Sequence, residues 1–292
     1  MGTAAIGWLV VGVLAHLANQ LARGQGWYAV IRAACPDEPV RRRDALGAWV
    51  AGAGASGVLS ARGGDAVRLV LLRPRTGEAG YPLLCGTLVA EAAGEAAIGL
   101  ALIGAAVAAG VWPGIGIPAP WLALAVVPVL LVASRVGAVR RLAAGVARGT
   151  CALRSPGRYA CTVLPWQAAS RLARVLSIAC FLAAFGLPAT IPAVLLVMLA
   201  QGGGRAIPFA PASLGAGAAI LAASFEPVTG TAVDTATVAE FFVGTSAVLT
   251  AVGVALAVGI AARAAPGYRW GRQPLTSFRR WLDTRSPSRQ TL

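Results

Sequence analysis

The chain has no lysine and a single histidine, His16, and only 12% of its 292 residues are charged. A soluble domain carries about a quarter charged residues, so much of this chain cannot be covered by water. The five cysteines, Cys35, Cys85, Cys151, Cys161 and Cys180, show no C-x-x-C spacing and have no histidine partners. That argues against a zinc centre. There is no H-E-x-x-H motif, and no serine or cysteine has a base close by, so the residues offer no intramembrane catalytic centre. No enzymatic activity, cofactor or metal is expected.

Hydrocarbon takes the place of charge. Hydrophobic residues make up 57% of the chain, and the mean hydropathy is +0.72. The weakly charged stretches Ala4–Ala22, Pro120–Ser134 and Thr235–Ala262 approach or exceed the roughly 20 residues with which a helix crosses a bilayer core. The expected fold is all-α, a polytopic integral membrane protein of about six to eight membrane segments.

All 25 basic residues are arginine, and the formal net charge is +14. A soluble chain this basic points to nucleic acid. Here the arginines sit between apolar stretches, where the positive-inside rule accounts for them, and no nucleic-acid partner is expected. The first apolar run has no arginine before it and Arg23 after it. That order is wrong for a cleaved signal peptide and fits a retained helix that starts outside.

The same rule assigns four basic regions to the cytoplasm: the loops Arg23–Asp44, 61–79 and Arg140–Cys161, and the tail Arg263–Leu292, which is expected to be disordered. The uncharged turn 112–118 and the acidic stretch Phe225–Asp234 lie outside. Both ends of Ala45–Ser60 then face the cytoplasm, so this short, glycine-broken segment reads as a re-entrant hairpin. The split segment "TIPAVLLVMLAQ", "GGGRAIPFAPAS", "LGAGAAILAASF" reads as re-entrant from outside. Tyr81–Val111 and Thr162–Leu187 cross outward, and Thr235–Ala262 returns inward. A transmembrane domain over 1–262 follows, its halves 1–111 and 162–262 oppositely oriented and linked by helix 119–139. Such inverted repeats with broken helices are a transporter plan. The expected location is the plasma membrane, with the N-terminus outside and the C-terminus cytoplasmic.

A few charges interrupt the apolar pattern. "VLSARGGDAVRLVLL" groups Arg62, Asp65 and Arg68 around Gly63-Gly64. Asp65 can cap the short helix after a glycine turn and pair with Arg68 three residues on. The same parts, a helix N-terminus with two guanidiniums, also make an anion site, and the anion at hand in a membrane is a lipid phosphate. Glu91 and Glu95 share one helix face. They need a cavity or an arginine, and Arg171 and Arg174 can meet them as an ion-pair lock between two helices. Arg205 lies in the glycine-rich break, where Gln201 can satisfy exposed carbonyls and irregular backbone must be shielded from lipid. His16 and Asn19 read as interfacial packing.

The stretches "RGQGWYAVIRAA", "AGASGVLSARGGDAVRLVLL", "TLVAEAAGE", "PWQAASRLARVLSIACFLAAFGLP" and "AIPFAPASLGAGAAIL", in that order over Leu17–Ala262, resemble the flippase-like transmembrane region of the lysylphosphatidylglycerol synthase family. That family's P-x-R-x-G-E-x-x-R element reads Ser60-Ala61-Arg62-Gly63-Gly64-Asp65-Ala66-Val67-Arg68 here, after Trp27. Thr87 and Glu91 match its next element, with Ala92 in place of an arginine. The late P-G-G-x-G element reads Pro211-Ala212-Ser213-Leu214-Gly215, and the acidic or amide residue that often follows is absent. The resemblance implies binding or movement of a polar lipid between leaflets, the partner being an anionic phospholipid or lipid-linked phosphate. Arg62, Asp65, Arg68, Glu91 and Arg205 would line the path, with Glu95, Arg171 and Arg174 as the lock. No aminoacyl-transfer domain follows Ala262, so synthesis of lysylphosphatidylglycerol is not expected. The alternative is a non-transporting membrane scaffold that partners a lipid or glycan biosynthetic enzyme.

Overall fold

The computed structural model describes residues 3–57, 61–77, 79–108, 144–204 and 210–264. Every element among them is helical: α1 (Thr3–Ala34), α2 (Arg42–Ser56), α3 (Ala61–Leu72) with a 3-10 turn at Arg73–Arg75, and α4 (Tyr81–Ala108). After a helical stretch at 144–149 and a 3-10 turn at Thr150–Arg154 come α5 (Pro156–Thr162), α6 (Leu164–Ala184), α7 (Ile191–Gly204), α8 (Ala210–Thr229) and α9 (Thr235–Ala264). The turn 112–118, the linking helix 119–139 and the tail beyond 264 lie outside the described residues. Among the described residues three helices are long and apolar enough to cross a membrane, within Thr3–Ala34, Leu164–Ala184 and Thr235–Ile260. Only 17% of the most apolar window of the first and third is buried inside the protein. The outward-facing remainder includes Ile6, Leu14, Val243 and Val258, a surface suited to hydrocarbon.

The boundaries differ from the sequence expectation in three places. First, Arg23–Ala34 is not loop. It is the second half of α1, because a charge inside a helix does not end it when a partner waits on a neighbour. The helix stops only ahead of Pro36, which disfavours helical backbone at Cys35. Second, the short helix expected after Asp65 begins earlier, at Ala61. It forms α3, packed along α2, and the two make a helical hairpin. Third, within loop 140–161 the described residues from 144 onward are helical in pieces, and α5 precedes α6.

The glycines of 45–60 do not break the chain. α2 runs uninterrupted from Arg42 to Ser56, and its glycines provide contact instead. A Cβ on Gly52 would stand 2.6 Å from the Gly64 carbonyl oxygen of α3, and one on Gly54 would overlap the Gly253 carbonyl of α9. Among the described residues only Gly186 and Gly230 have positive φ, so Gly63-Gly64 is helix rather than turn. Asp65 therefore lies in the second turn of α3 and is not its N-cap. At about 1.5 Å per residue, α2 is some 22 Å long, short of a bilayer core of about 30 Å.

The two ends of the hairpin are clasped together. The Glu38 carboxylate, just before α2, accepts the Gly77 and Ala79 backbone N–H groups at 2.5 and 2.6 Å. Arg75 Nε lies 3.3 Å from Asp44 Oδ1. The start of α2 and the end of α3 are thus at one level.

Contacts also fix helix directions. The Ser177 hydroxyl donates to the Gly12 carbonyl at 2.8 Å, while Gly26 lies by Trp166, so α1 and α6 are antiparallel. Gly54 meets Gly253 and Gly57 meets Thr250, so α2 and α9 are antiparallel. Trp27 meets Thr87 while Arg23 meets Glu95, so α1 and α4 are antiparallel. Two apolar cores flank the α1–α6 pair. One, around Trp27, Ile31, Trp49, Leu72 and Leu84, belongs to the first half. The other, around Phe181, Leu196, Leu221, Phe225 and Phe241, joins α6 to α9.

The α2–α9 crossing predicts that Gly54→Leu lowers stability by at least the 1–3 kcal/mol typical of overpacking, about, because the obstructing atoms are backbone. Thermal unfolding in detergent checks this, and an unchanged midpoint would contradict the close crossing.

Candidate functional site

The inner face of α1 carries a polar stripe at helical spacing: His16, Gln20, Arg23 and Trp27. Gln20 Nε2 and His16 Nε2 are 3.2 Å apart. Gln20 Oε1 accepts from Trp49 Nε1 on α2 at 3.3 Å. Arg23 Nη2 donates to Glu91 Oε1 at 3.3 Å and to Glu95 Oε2 at 2.7 Å. Trp27 Nε1 donates to the buried Thr87 hydroxyl at 3.0 Å. The stripe meets its counterpart on α4, where Thr87, Glu91 and Glu95 recur every fourth residue and so line one face.

Two further arginines complete the group. Arg171 of α6 lies 3.4 Å from Glu95 Oε2 and donates to the Glu95 backbone carbonyl at 3.3 Å. Arg68 of α3 pairs with Asp65 Oδ1 at 2.8 Å, and its guanidinium carbon lies 3.7 Å from the centroid of the Trp49 ring. Arg23 stands over the same ring at 5.1 Å. Such cation–π contacts strengthen when desolvated.

Three arginines and three carboxylates thus surround a cleft of about 360 Å³ between α1, α3, α4 and α6. The charges are formally balanced. Glu91 is deepest, its side chain 6% exposed, and Asp65 is at the mouth, 48% exposed. The balance is not complete at the level of hydrogen bonds. The buried Nε atoms of Arg23 and Arg171 have no hydrogen-bond partner. A buried donor left unmatched is costly, and a guanidinium edge suits the oxygens of a phosphate or carboxylate.

α4 is held from behind. Tyr159 donates its hydroxyl proton to the Ala90 carbonyl at 3.0 Å, and the buried Gln167 amide donates to the Glu91 carbonyl at 3.0 Å. Gly94 makes this possible, because a Cβ there would collide with the Tyr159 hydroxyl and the Gln167 amide. These contacts fix the turn of α4 that presents Glu91 and Glu95.

Of the residues singled out in the sequence, Asp65, Arg68, Glu91, Glu95 and Arg171 meet at this cleft. Arg174 does not reach the carboxylates. It donates to Gln201 Oε1 of α7 at 2.7 Å, since three residues along α6 turn it toward the neighbouring helix. The Gln201 amide oxygen thus receives an arginine, while residues 205–209, whose carbonyls it was expected to serve, lie outside the described residues. The Arg62 side chain and all of Arg205 lie outside the described residues. Asn19 is buried, 5% exposed. Arg23, Trp49, Tyr159 and Gln167 were not anticipated, and Arg23 was assigned to a loop. Its spacing from Gln20 and Trp27 was the available signal. Cys35, beyond the end of α1, is no nucleophile at neutral pH. Burial, with Glu38 and Cys151 adding to it, pushes its thiol up to about 11.

No family model matches the chain, and no curated protein or solved structure shows significant similarity to it.

The geometry separates two kinds of charge. Arg23→Ala leaves Glu91 and Glu95 buried with less compensation and is expected to destabilise the protein by about 3–5 kcal/mol. Asp65→Asn touches a carboxylate that is 48% exposed, its charge largely screened by solvent, and is expected to cost less than Arg23→Ala. Unfolding of both variants in one detergent measures the contrast, and equal midpoints would contradict a structural role for Arg23.

Proposed function

We propose that this chain is a membrane protein that binds a polar, phosphate-bearing lipid and moves it between leaflets, with no energy source of its own. The cleft between α1, α3, α4 and α6 receives the headgroup. The observation that carries this reading is that Arg23, Arg68 and Arg171, from three different helices, line one polar cleft of about 360 Å³, while the buried Nε–H groups of Arg23 and Arg171 make no hydrogen bond to the described protein groups. A headgroup cannot cross about 30 Å of hydrocarbon without polar groups along its path, and such donors are what a phosphate needs.

The residues behind the resemblance to the lysylphosphatidylglycerol synthase transmembrane region support the same site. Trp27, Asp65, Arg68, Thr87 and Glu91 are scattered in sequence, yet each touches the cleft or its wall. In this reading the plasma membrane holds about six to eight segments, with α2–α3 and α7–α8 as short hairpins entering from opposite faces and the halves related as an inverted repeat. The clasp at Glu38 favours a hairpin with both ends on one side, and the directions of α1, α4, α6 and α9 are compatible with that plan. The basic loops set the N-terminus outside and the C-terminus in the cytoplasm.

A second reading has its own observation. Arg23 and Arg171 both engage Glu95, a closed ion-pair lock across three helices, which suits a non-transporting scaffold for a membrane enzyme.

Lipid scrambling in proteoliposomes decides between them. The transport reading expects wild-type protein to equilibrate fluorescent phosphatidylglycerol between leaflets, and Arg171→Ala to slow this about tenfold or more while Glu95 keeps Arg23 and the fold survives; a tenfold rate change is about 1.4 kcal/mol in the barrier. Absence of scrambling by folded wild-type protein favours the scaffold.

A further inference from the structure

A second cleft, of about 340 Å³, opens between α1, α2 and α9. Its walls are apolar, with Val50 and Ala53 of α2 facing Leu249 and Leu256 of α9, and its polar side chains are His16 and Gln20 of α1. These two lie together, 3.2 Å between ring nitrogen and amide nitrogen. The polar end of the apolar cleft is thus at Gln20.

Gln20 also points toward the charged cleft through Trp49. Its Oε1 accepts the Trp49 indole N–H at 3.3 Å, and the Trp49 ring carries the Arg68 and Arg23 guanidiniums of the charged cleft. Along α1, Arg23 follows Gln20 by three residues, an advance of about 4.5 Å. Trp49, fully buried, therefore stands between the charged cleft and the apolar one and contacts polar side chains of both. A ligand with a charged head and a hydrocarbon tail is the chemistry that uses both.

We propose that the apolar cleft between α1, α2 and α9 is a binding site for the hydrocarbon chain of the same lipid whose phosphate occupies the charged cleft. This rests on the phosphate-lipid reading above and deepens it: the protein selects a whole amphiphile, with one chain held by protein rather than left in the bilayer. Gly47, on the cleft wall, leaves room for a larger side chain, since a Cβ there would meet only Ile260 Cγ2 at 3.8 Å. Gly47→Leu therefore fills the cleft without touching the arginines.

The test uses the full chain in detergent with two probes, short-chain and long-chain phosphatidylglycerol. Gly47→Leu is expected to weaken long-chain binding about tenfold and to leave short-chain binding within about twofold, tenfold being about 1.4 kcal/mol. Arg171→Ala is expected to weaken both. Equal effects of Gly47→Leu on the two probes, or none on either, overturn the chain site. If Arg171→Ala changes neither probe, the headgroup reading fails instead. Wild-type protein supplies an independent readout that needs no variant. A photoactivatable group at the end of the long chain is expected to label peptides 46–54 and 249–260. Labelling confined to the outward faces of α1 and α6, at Leu14 and Leu172, would mark boundary lipid only and contradict the proposal.

Discussion

The position of Arg23 between Glu91 and Glu95 is the constraint on which the first half of the molecule depends. A guanidinium stays charged under all ordinary conditions, and an isolated charge within a membrane segment is expensive. Arg23 sits halfway along α1 and is 17% exposed, so it must be met by carboxylates from another helix. That requirement sets the register of α4 against α1. Glu95 then recruits Arg171, and α6 joins the same charge group. The Trp27–Thr87 bond and the Tyr159 and Gln167 contacts to α4 keep that register from slipping.

Small residues make the complementary contribution. Water provides no force for assembling helices inside lipid, so close backbone approach and polar contacts carry the association. The α2–α9 crossing at Gly54 and Gly253 and the α2–α3 crossing at Gly52 and Gly64 are of this kind. They bring α3, with Asp65 and Arg68, up to Trp49, and through Trp49 to Arg23. Charge thus fixes α1, α4 and α6, while glycine contact delivers the hairpin that closes the cleft.

The class of fold was legible because composition and long apolar runs report directly on the solvent. The all-helical architecture and the α1 and α9 spans follow from that. The helix boundaries were less legible, and the reason is specific. Arg23 and Arg62 look like loop residues by charge alone, yet both belong to helices, and for Arg23 the structure gives the cause: its partners Glu91 and Glu95, 68 and 72 positions away, cannot be read from local pattern. Glycine misled in the same way. In 45–60 its density suggested breaks, whereas the helix needed small residues for two neighbours. Of the site, the face shared by Glu91 and Glu95, their approach to Arg171 and the Asp65–Arg68 pair were readable from spacing. The role of Trp49, which takes the Arg23 and Arg68 guanidiniums on its ring and donates to Gln20, was not, because its neighbours come from α1 and α3 only after the hairpin folds.

The central claim is that the Nε–H donors of Arg23 and Arg171 are left for a lipid phosphate. Solid-state NMR of arginine-¹⁵N-labelled protein in phosphatidylglycerol bilayers reads this contact directly, through dipolar transfer between lipid ³¹P and guanidinium Nε. The account predicts a phosphorus contact to buried arginine Nε nuclei that weakens when Arg171 is replaced by alanine. Phosphorus contacts restricted to the exposed loop arginines, unchanged by that substitution, would contradict it.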